Sequence, residues 1–233
     1  MSKQKMNQEI KRLKDTASID DARHLLYQIY IREFGWQTKP DCPTGFYVKV
    51  DKNGRGLLCD VFDEDAAWFG AYSNNQLIGV ARAVHRRNKT GKLDLELYNS
   101  CQLPTLTNIL SAETNPNLIE VQRGAVAKGH RGGAVIYKIF TSIFSYAHRR
   151  NLNVVCTTVF PTLMTFFDKT GLKLIEKNFT YGEDKDETPA HIYYCHFQRL
   201  DNAISMMKAA SRKRKIHFDD ENVPSKLKKF LIV

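Results

Sequence analysis

The stretch "AVAKGHRGGAVIYKIF" at residues 125–140 places two cations and two adjacent glycines between an apolar stretch and an amphipathic segment. Glycines let a ligand approach the backbone closely, and the first N–H groups of a following helix have no intrahelical acceptor. Together with the helix dipole, these features predict an anion site of the pyrophosphate type. The loop fits neither the GxxxxGKS/T nor the GxGxxG pattern, which disfavours a nucleotide triphosphatase and a dinucleotide fold. Its candidate binding residues are Lys128, Arg131, Gly132 and Gly133.

Composition limits the class of protein that carries this loop. The chain has 233 residues, 42% of them hydrophobic, which is typical of a globular protein. No apolar run reaches the roughly 18 residues of a membrane span, and the polar N-terminus does not fit a signal peptide. The five cysteines form no CxxC pair, so we predict neither a disulfide framework nor a metal site, and we expect a cytoplasmic protein. The net charge of +10 favours acidic partners.

The order of predicted elements indicates an α/β (α+β) fold. A helix over 20–34 is followed by a loop over 39–56, two strands joined at 73–75, and an irregular region over 88–117. A strand–helix–strand–helix run, two strands around an acidic turn at 182–188, and a helix over about 200–211 complete the chain. We predict a mixed, mostly antiparallel sheet with a central βαβ unit and flanking helices. We predict that the chain has three parts: an N-terminal extension (1–19), one domain (20–200), and a C-terminal helix with a basic tail (201–233).

The loop also resembles a motif of the GNAT superfamily of N-acyltransferases. There an R/Q-x-x-G-x-G/A loop binds the pyrophosphate of a pantetheine-bearing thioester, and the counterpart here is the run from Arg131 to Ile136. Ala134 and Ile136 stand at the two positions where the motif has glycine and then glycine or alanine, and they depart from it there. The resemblance adds Ala134 to the donor site and points to backbone N–H groups near Val126 for the reaction's oxyanion. Phe167 stands where many acetyl-CoA enzymes carry a tyrosine that protonates the leaving thiol, which disfavours an ordinary acetyltransferase.

Three further segments resemble one branch of that superfamily. "DVFDEDAAWF", "LIGVAR" and "LIEVQRGAV" are similar, in order and spacing, to motifs of the acyl-homoserine-lactone synthases and the long-chain N-acyl amino acid synthases. "IYIREFGW" also resembles a helix near their N-termini. Leu58 replaces an additional acidic residue of the lactone synthases, which favours the amino acid synthases. The resemblance assigns substrate-binding or catalytic roles to Asp60, Asp63, Arg82, Glu120 and Arg123.

Amide formation from a thioester needs a positioned neutral amine, a stabilised oxyanion and a route for the amine's proton. Glu120 is the candidate general base, directly or through water; the alternative is a buried ion pair with Arg82 or Arg123. Strict alternation would place Glu120 and Arg123 on opposite faces of their strand unless a bulge intervenes, and the resemblance implies such a bulge. Asp60 and Asp63 either attract a cationic acceptor or organise the N-terminal cap. The alternative is that one is a helix N-cap and the other a solvated acid.

The resemblance implies an acyl-phosphopantetheine thioester as donor, carried by acyl carrier protein or CoA, with no permanently bound cofactor. The acceptor is then a small amine, in particular an amino acid. One alternative is an acetyl-CoA-dependent N-acetyltransferase, and another is a nucleic-acid-binding module that uses "SRKRK". The nucleic-acid partner is disfavoured because no helix-turn-helix, RNP signature or zinc spacing is visible. Peripheral membrane contact stays open.

Overall fold

A seven-stranded sheet forms the centre of the structure, a computed structural model that describes residues 8–38, 42–98, 103–112, 117–131, 134–158, 161–179 and 190–212. The strands lie in the order β1-β4-β5-β6-β7-β9-β8, and a separate hairpin pairs β2 with β3. Only β6 and β7 run parallel among the paired strands described. The strands are β1 (Gln8–Leu13), β2 (Tyr47–Val50), β3 (Gly56–Cys59), β4 (Ala67–Ser73), β5 (Gln76–His85), β6 (Leu118–Val126), β7 (Asn153–Thr158), β8 (Lys173–Phe179) and β9 (Ala190–Cys195).

Six α-helices accompany the strands in the described part of the chain. The first continues directly into a π-helical segment, Tyr27–Glu33, and the last follows a short 3₁₀ turn at Phe197–Arg199. The helices are α1 (Thr16–Leu26), α2 (Asp94–Tyr98), α3 (Pro104–Ala112), α4 (Val135–His148), α5 (Pro161–Lys169) and α6 (Leu200–Arg212). None of the helices in this part of the protein is long and apolar enough to cross a membrane.

Side-chain alternation along the strands gives the sheet two apolar faces. On one face, residues such as Ile119 and Val121 of β6 pack with α4, α5 and α6 in the main core. On the other face, Leu118 belongs to a cluster with α2, α3, β8 and β9, while Trp68 and Val80 belong to a cluster with α1 and the β2–β3 hairpin. The charged residues of the candidate site lie on this second face, between the two smaller clusters.

The predicted fold class is confirmed. The unit β6–α4–β7 is the central βαβ crossover, and the remaining pairs of the large sheet are antiparallel. The predicted turn between two strands lies at Asn74 and Asn75, whose φ angles of 50° and 63° are those of a tight hairpin turn.

Two predictions about irregular regions were wrong. The expected loop over 39–56 contains strand β2 and the start of β3, because four residues flanked by glycines and prolines can still form a short ladder. The expected irregular region over 88–117 contains helices α2 and α3. Their bounds span only 5 and 9 residues, too short to produce a clear helical period in the sequence.

The ends of the chain also differ from the expected elements. Residues Gln8–Leu13 form an edge strand that pairs with β4, although they are largely polar and only Leu13 is buried. Helix α1 begins at Thr16 rather than 20, because the Asp15 carboxylate caps it by accepting from the Ser18 N–H at 2.8 Å. Apolar side chains of α6 join the main core. The domain division stays a prediction, and the acidic turn at 182–188 and the tail beyond 212 lie outside the described residues.

Candidate active site

Strand β6 contains a bulge at Arg123 and Gly124. Arg82 of β5 pairs with Gln122 and Val80 pairs with Ala125, so two steps on β5 face three steps on β6. Arg123 takes up the additional residue with a φ of 52°, a left-handed conformation that costs a non-glycine residue about 1–2 kcal/mol. The predicted bulge is therefore present. It brings the side chains of Gln122 and Arg123 into the same charged cluster instead of onto opposite faces.

The sheet stops pairing between β6 and β7 near this bulge. The two parallel strands pair from Leu118 with Asn153 to Val121 with Cys156, whereas β6 continues to Val126 without a β7 partner. The end of β6 leads through the loop at 127–134 into α4. The N–H groups of a helix point toward its N-terminus, and those of the first turn have no acceptor within the helix. The first-turn N–H groups of α4 therefore face this loop.

The loop presents one exposed cation and one buried cation. The side chain of Lys128 is exposed, whereas that of Arg131 is only 5% exposed. Arg131 Nε donates to the Val126 carbonyl at 2.6 Å, and its two terminal nitrogens donate to the Glu33 carboxylate at 2.6 and 2.5 Å. In this structure the guanidinium therefore fastens the loop to the helical segment that ends at Glu33. The same contact lowers the pKa of Glu33.

The remaining predicted donor positions lie around the start of α4. Val126 is the last residue of β6 and pairs with Gly79. Ala134 precedes α4 and accepts the first helical hydrogen bond, from the Lys138 N–H at 3.0 Å. Gly132 and Gly133 lie outside the described residues.

Arg82 is the centre of the charged cluster. It is 1% exposed and lies over the rings of Trp68 and Phe62, 5.4 and 5.9 Å from their centroids. Its guanidinium makes five hydrogen bonds: to Asp60 at 2.8 and 2.6 Å, to Asp63 at 2.5 Å, and to Gln122 at 3.1 and 2.8 Å. Because a guanidinium has five N–H donors, Arg82 is fully satisfied within the protein.

Asp60 and Asp63 each meet two arginines. Asp60 also accepts from Arg123 at 3.0 Å, and Asp63 accepts from Arg23 of α1 at 3.0 Å. Burial tends to raise the pKa of Asp60, but Arg82 and then Arg123 outweigh it, and the pKa is lowered. For Asp63, burial exceeds the effect of Arg82 and the pKa is raised. The arrangement ties α1 to the sheet. Neither residue is a solvated acid, because both are buried and paired, and the N-cap of α1 is Asp15.

Glu120 also lies in this cluster, where its carboxyl group contacts the backbone of α2 and the side chain of Gln122. The residue is 1% exposed, and its Oε2 accepts from the Leu95 N–H at 3.4 Å. Burial, and then the neighbouring charge of Asp94, raise the pKa of Glu120 well above its usual range. Asp94 is 6% exposed, and its Oδ1 has no hydrogen-bond partner among the described residues. Burial raises the pKa of Asp94 to about 6.

Four residues of this region carried no role in the sequence analysis: Arg23, Glu33, Asp94 and Gln122. Glu33 lies within "IYIREFGW", the segment that resembles the N-terminal helix of the related synthases, so a signal for it existed. Arg23 is one of two arginines on the predicted helix over 20–34, and Asp94 is one of three acidic residues in the polar region over 88–117. Neither differs in sequence from a solvated surface residue.

Two aromatic residues bear on proton transfer: Phe167, which stands where related enzymes often have a tyrosine, and Tyr30. Phe167 is 1% exposed and packs against Phe140, Phe166 and Tyr193, so that position offers only a ring to the core. Tyr30 of the π-helical segment donates its hydroxyl to the Gly124 carbonyl at 3.2 Å, directly at the bulge. Burial raises the pKa of Tyr30, so the hydroxyl keeps its proton at neutral pH.

Two clefts of the described structure lie away from the loop. One of about 220 Å³ is lined mainly by α3, together with Arg86 and Glu96. Another of about 310 Å³ lies between β1 and Tyr72 and is lined by Lys11 and Arg12. Neither of these two clefts is lined by Glu120 or Lys128.

Comparison with solved structures shows that the chain has the GNAT fold. FeeM, an N-acyl amino acid synthase from uncultured soil microbes, matches with a TM-score of 0.62 and 16% identity, over 88% of this chain and 98% of FeeM. The acyl-homoserine-lactone synthase LasI matches with a TM-score of 0.57 and 17% identity, over 85% of this chain and 94% of LasI. BjaI, a CoA-dependent acyl-homoserine-lactone synthase solved with SAM and isopentyl-CoA, matches with a TM-score of 0.59 and 15% identity, over 87% of this chain and 90% of BjaI.

No protein-family model matches the sequence. No curated protein matches it either. The fold that the sequence resemblance implied is therefore supported by three-dimensional structure alone.

Proposed function

We propose that this protein is an N-acyltransferase that moves an acyl group from a pantetheine thioester, carried by acyl carrier protein, to the amino group of an amino acid or similar small amine. The observation that supports it most is the course of β6. This strand carries the buried Glu120, bulges at Arg123, loses its β7 partner, and leads into the basic loop before α4. A thioester lying between the parted strands would have a carboxyl group on one side and helix N–H groups on the other.

The donor's phosphates would bind the backbone N–H groups at the start of α4, with Gly132, Gly133 and Ala134 allowing close approach and Lys128 adding charge. Arg131 would act by holding the loop, since its guanidinium is engaged by Glu33 and Val126. The thioester oxygen would develop negative charge near Val126, where a backbone N–H can stabilise it.

The acceptor amine would attack the thioester carbonyl, and the new C–N bond would form as the C–S bond breaks. Glu120 would take the amine's proton, directly or through water. Asp60, Asp63, Arg82 and Arg123 would contribute mainly by fixing the electrostatic field and the position of α1, because their charges are largely paired with one another.

Two observations support an amino acid acceptor and a carrier-bound donor. FeeM, which shares the fold, is described as an N-acyl amino acid synthase. The net charge of +10 suits an acidic carrier protein. The CoA dependence of BjaI makes a CoA thioester the rival donor.

Purified protein should be incubated with acyl carrier protein thioesters and with the matching CoA thioesters, each against every amino acid. Mass spectrometry would detect N-acyl products, and Glu120→Gln would serve as the inactive control. Turnover with CoA thioesters only would overturn the carrier assignment and, if limited to acetyl-CoA, would favour the N-acetyltransferase alternative. No N-acyl product with any donor would overturn the proposed function.

A further inference from the structure

The charged cluster on the second face of the sheet contains one more carboxyl group than it has arginines. Three arginines stand against four mostly buried carboxyl groups: Arg23, Arg82 and Arg123, and Asp60, Asp63, Asp94 and Glu120. A fifth carboxylate, the more exposed Asp20, also accepts from Arg23 at 2.9 Å and is left out of this count. With every group ionised, the cluster would hold one uncompensated negative charge. An isolated buried carboxylate is costly, and such groups usually take up a proton instead. The cluster is balanced when its carboxyl groups hold one proton between them.

Geometry identifies the groups that hold this proton. Asp60 and Asp63 each accept from two arginines. The contacts of Asp94 and Glu120 differ: Glu120 accepts from the Leu95 N–H at 3.4 Å, and Asp94 Oδ1 has no partner in the described part of the protein. Because Leu95 follows Asp94 directly, the contact places the Asp94 backbone against the Glu120 carboxyl group.

We propose that Asp94 and Glu120 form a carboxyl pair that shares a single proton, and that Asp94 is the positioning residue that controls when Glu120 can accept a proton. The role in catalysis rests on the acyltransferase function proposed above. The pair itself follows from burial and charge and does not depend on that function. Two carboxyl groups in one site cannot both ionise cheaply, which is the physical basis of a shared proton.

The pair supplies both proton steps of the reaction. When Asp94 holds the proton, ionised Glu120 can accept the proton of the attacking amine as the C–N bond forms. The pair then holds two protons, and Glu120 passes one, directly or through water, to the sulfur as the C–S bond breaks. The products are an amide and a thiol, and the pair returns to one proton. This route needs no tyrosine on α5, where Phe167 is buried in an aromatic cluster.

The pKa values agree with this arrangement. The charge of Asp94 is the largest influence on the pKa of Glu120 after burial, and both carboxyl groups have raised values. The other charged or titratable groups that act on the pair are Arg82, Arg123, Asp60 and the Cys156 thiol. The arginines favour ionisation of the pair and Asp60 opposes it at Asp94.

The test is the protonation of Glu120, followed by infrared difference spectroscopy across a pH titration of the full chain. The carbonyl stretch of a protonated carboxyl group should be present at neutral pH and absent in Glu120→Gln. In Asp94→Asn, the band should titrate at lower pH, because the neighbouring negative charge is gone. The matched control is Glu96→Gln on the same helix, where the carboxylate pairs with Arg86 at 3.0 Å and the band should not move.

Activity provides a second, separable readout. In Asp94→Asn the pH dependence of kcat/KM should move to lower pH together with the band, whereas Asp94→Glu should retain the wild-type profile. An unchanged midpoint of the band in Asp94→Asn would overturn the pair. If Asp94→Asn does not fold, a wild-type band that is absent, or that persists in Glu120→Gln, overturns the pair. If the band shifts as predicted but the protein has no acyltransferase activity, the carboxyl pair is supported and the proposed function is overturned.

Discussion

Two pairs of carboxyl groups lie in the same buried cluster but are treated in opposite ways by the fold. Asp60 and Asp63 accept hydrogen bonds from Arg82, Arg123 and Arg23. Among the described residues, the Glu120 carboxyl group accepts from the Leu95 N–H and lies beside Gln122, and Asp94 Oδ1 has no partner. A buried ion pair with satisfied hydrogen bonds holds elements together, whereas a buried carboxyl group without a counter-charge keeps its proton and can exchange it. The first pair is suited to support and the second to chemistry.

The largest expected effect comes from the second pair. Glu120→Gln keeps the shape of the side chain and removes its ability to accept a proton, so turnover should fall by about 10²–10⁴. Steady-state kinetics with the donor and acceptor found in the substrate screen would measure the loss, and circular dichroism would establish that the variant is folded. Near-normal turnover in a folded variant would exclude Glu120 as the base.

The first pair should show its effect in stability. Arg82→Met removes all five hydrogen bonds to Asp60, Asp63 and Gln122, and breaking a buried ion pair typically costs about 3–5 kcal/mol in the free energy of unfolding. Denaturant titration would measure it. The matched control is Lys89→Met, which breaks the exposed pair with Glu64 and should change stability little. Equal losses in both variants would contradict the structural role of Arg82.

The sequence alone predicted the first pair better than the second. Asp60, Asp63, Arg82, Glu120 and Arg123 were identified because short motifs occur in a recognisable order, and the bulge that gathers them was expected. Asp94 was missed because it lies in a region without hydrophobic periodicity, on a helix of only 5 residues. The proposed role of Asp94 depends on its carboxyl oxygen having no hydrogen-bond partner among the described residues, and no sequence pattern indicates such a feature.

Contacts between distant segments set another limit on prediction from sequence. Arg131 was assigned to phosphate from its position beside two glycines, but its guanidinium meets Glu33, 98 positions away in the chain. The fold class was predictable because periodicity and turn residues are local, as in the hairpin at Asn74 and Asn75. The pairing of a charge is decided by the tertiary structure.

Asp60 of the first pair and both members of the second pair should give opposite pH dependences of stability. The lowered pKa of Asp60 stabilises the fold above the ordinary aspartate range, and this contribution is lost as pH falls. The raised pKa values of Asp94 and Glu120 stabilise it below their ordinary values of 3.8 and 4.5, and this contribution is lost as pH rises through the folded values. Wild-type stability should therefore fall as pH rises above the ordinary glutamate range, as measured by denaturant titration.

Glu120→Gln should flatten this decline between the ordinary glutamate range and neutral pH. Glu64→Gln is the matched control, because Glu64 is exposed and its pKa is lowered by Lys89 rather than raised by burial. The idea fails if the decline is as steep in Glu120→Gln as in the wild type.

The loop at 127–134 also contains one paired charge, Arg131, and one exposed charge, Lys128. If Arg131 acts by fastening the loop to Glu33, then Arg131→Ala and Glu33→Gln should both raise the donor KM, by about tenfold, since a hydrogen bond to a charged group contributes about 1.5–3 kcal/mol. Initial rates over a range of donor concentrations would measure both variants. If Glu33→Gln leaves the donor KM unchanged while Arg131→Ala raises it, the guanidinium itself binds phosphate and the fastening role is wrong.

The smallest expected effect concerns Lys128, the exposed cation of the loop. Acyl carrier protein is acidic, and exposed charges act mainly on the rate of encounter and are screened over about 10 Å in 0.1 M salt. Activity with a carrier-bound donor should therefore fall several-fold as salt rises, and Lys128→Glu should reproduce that fall at low salt. A short pantetheine thioester, which lacks the carrier's charge, should respond less. Lys173→Glu, on an exposed position of the edge strand β8, is the matched control for a general loss of positive charge. An equal salt response for both donors would contradict carrier docking at this loop and favour CoA as the donor, because the attraction would then not depend on a protein partner.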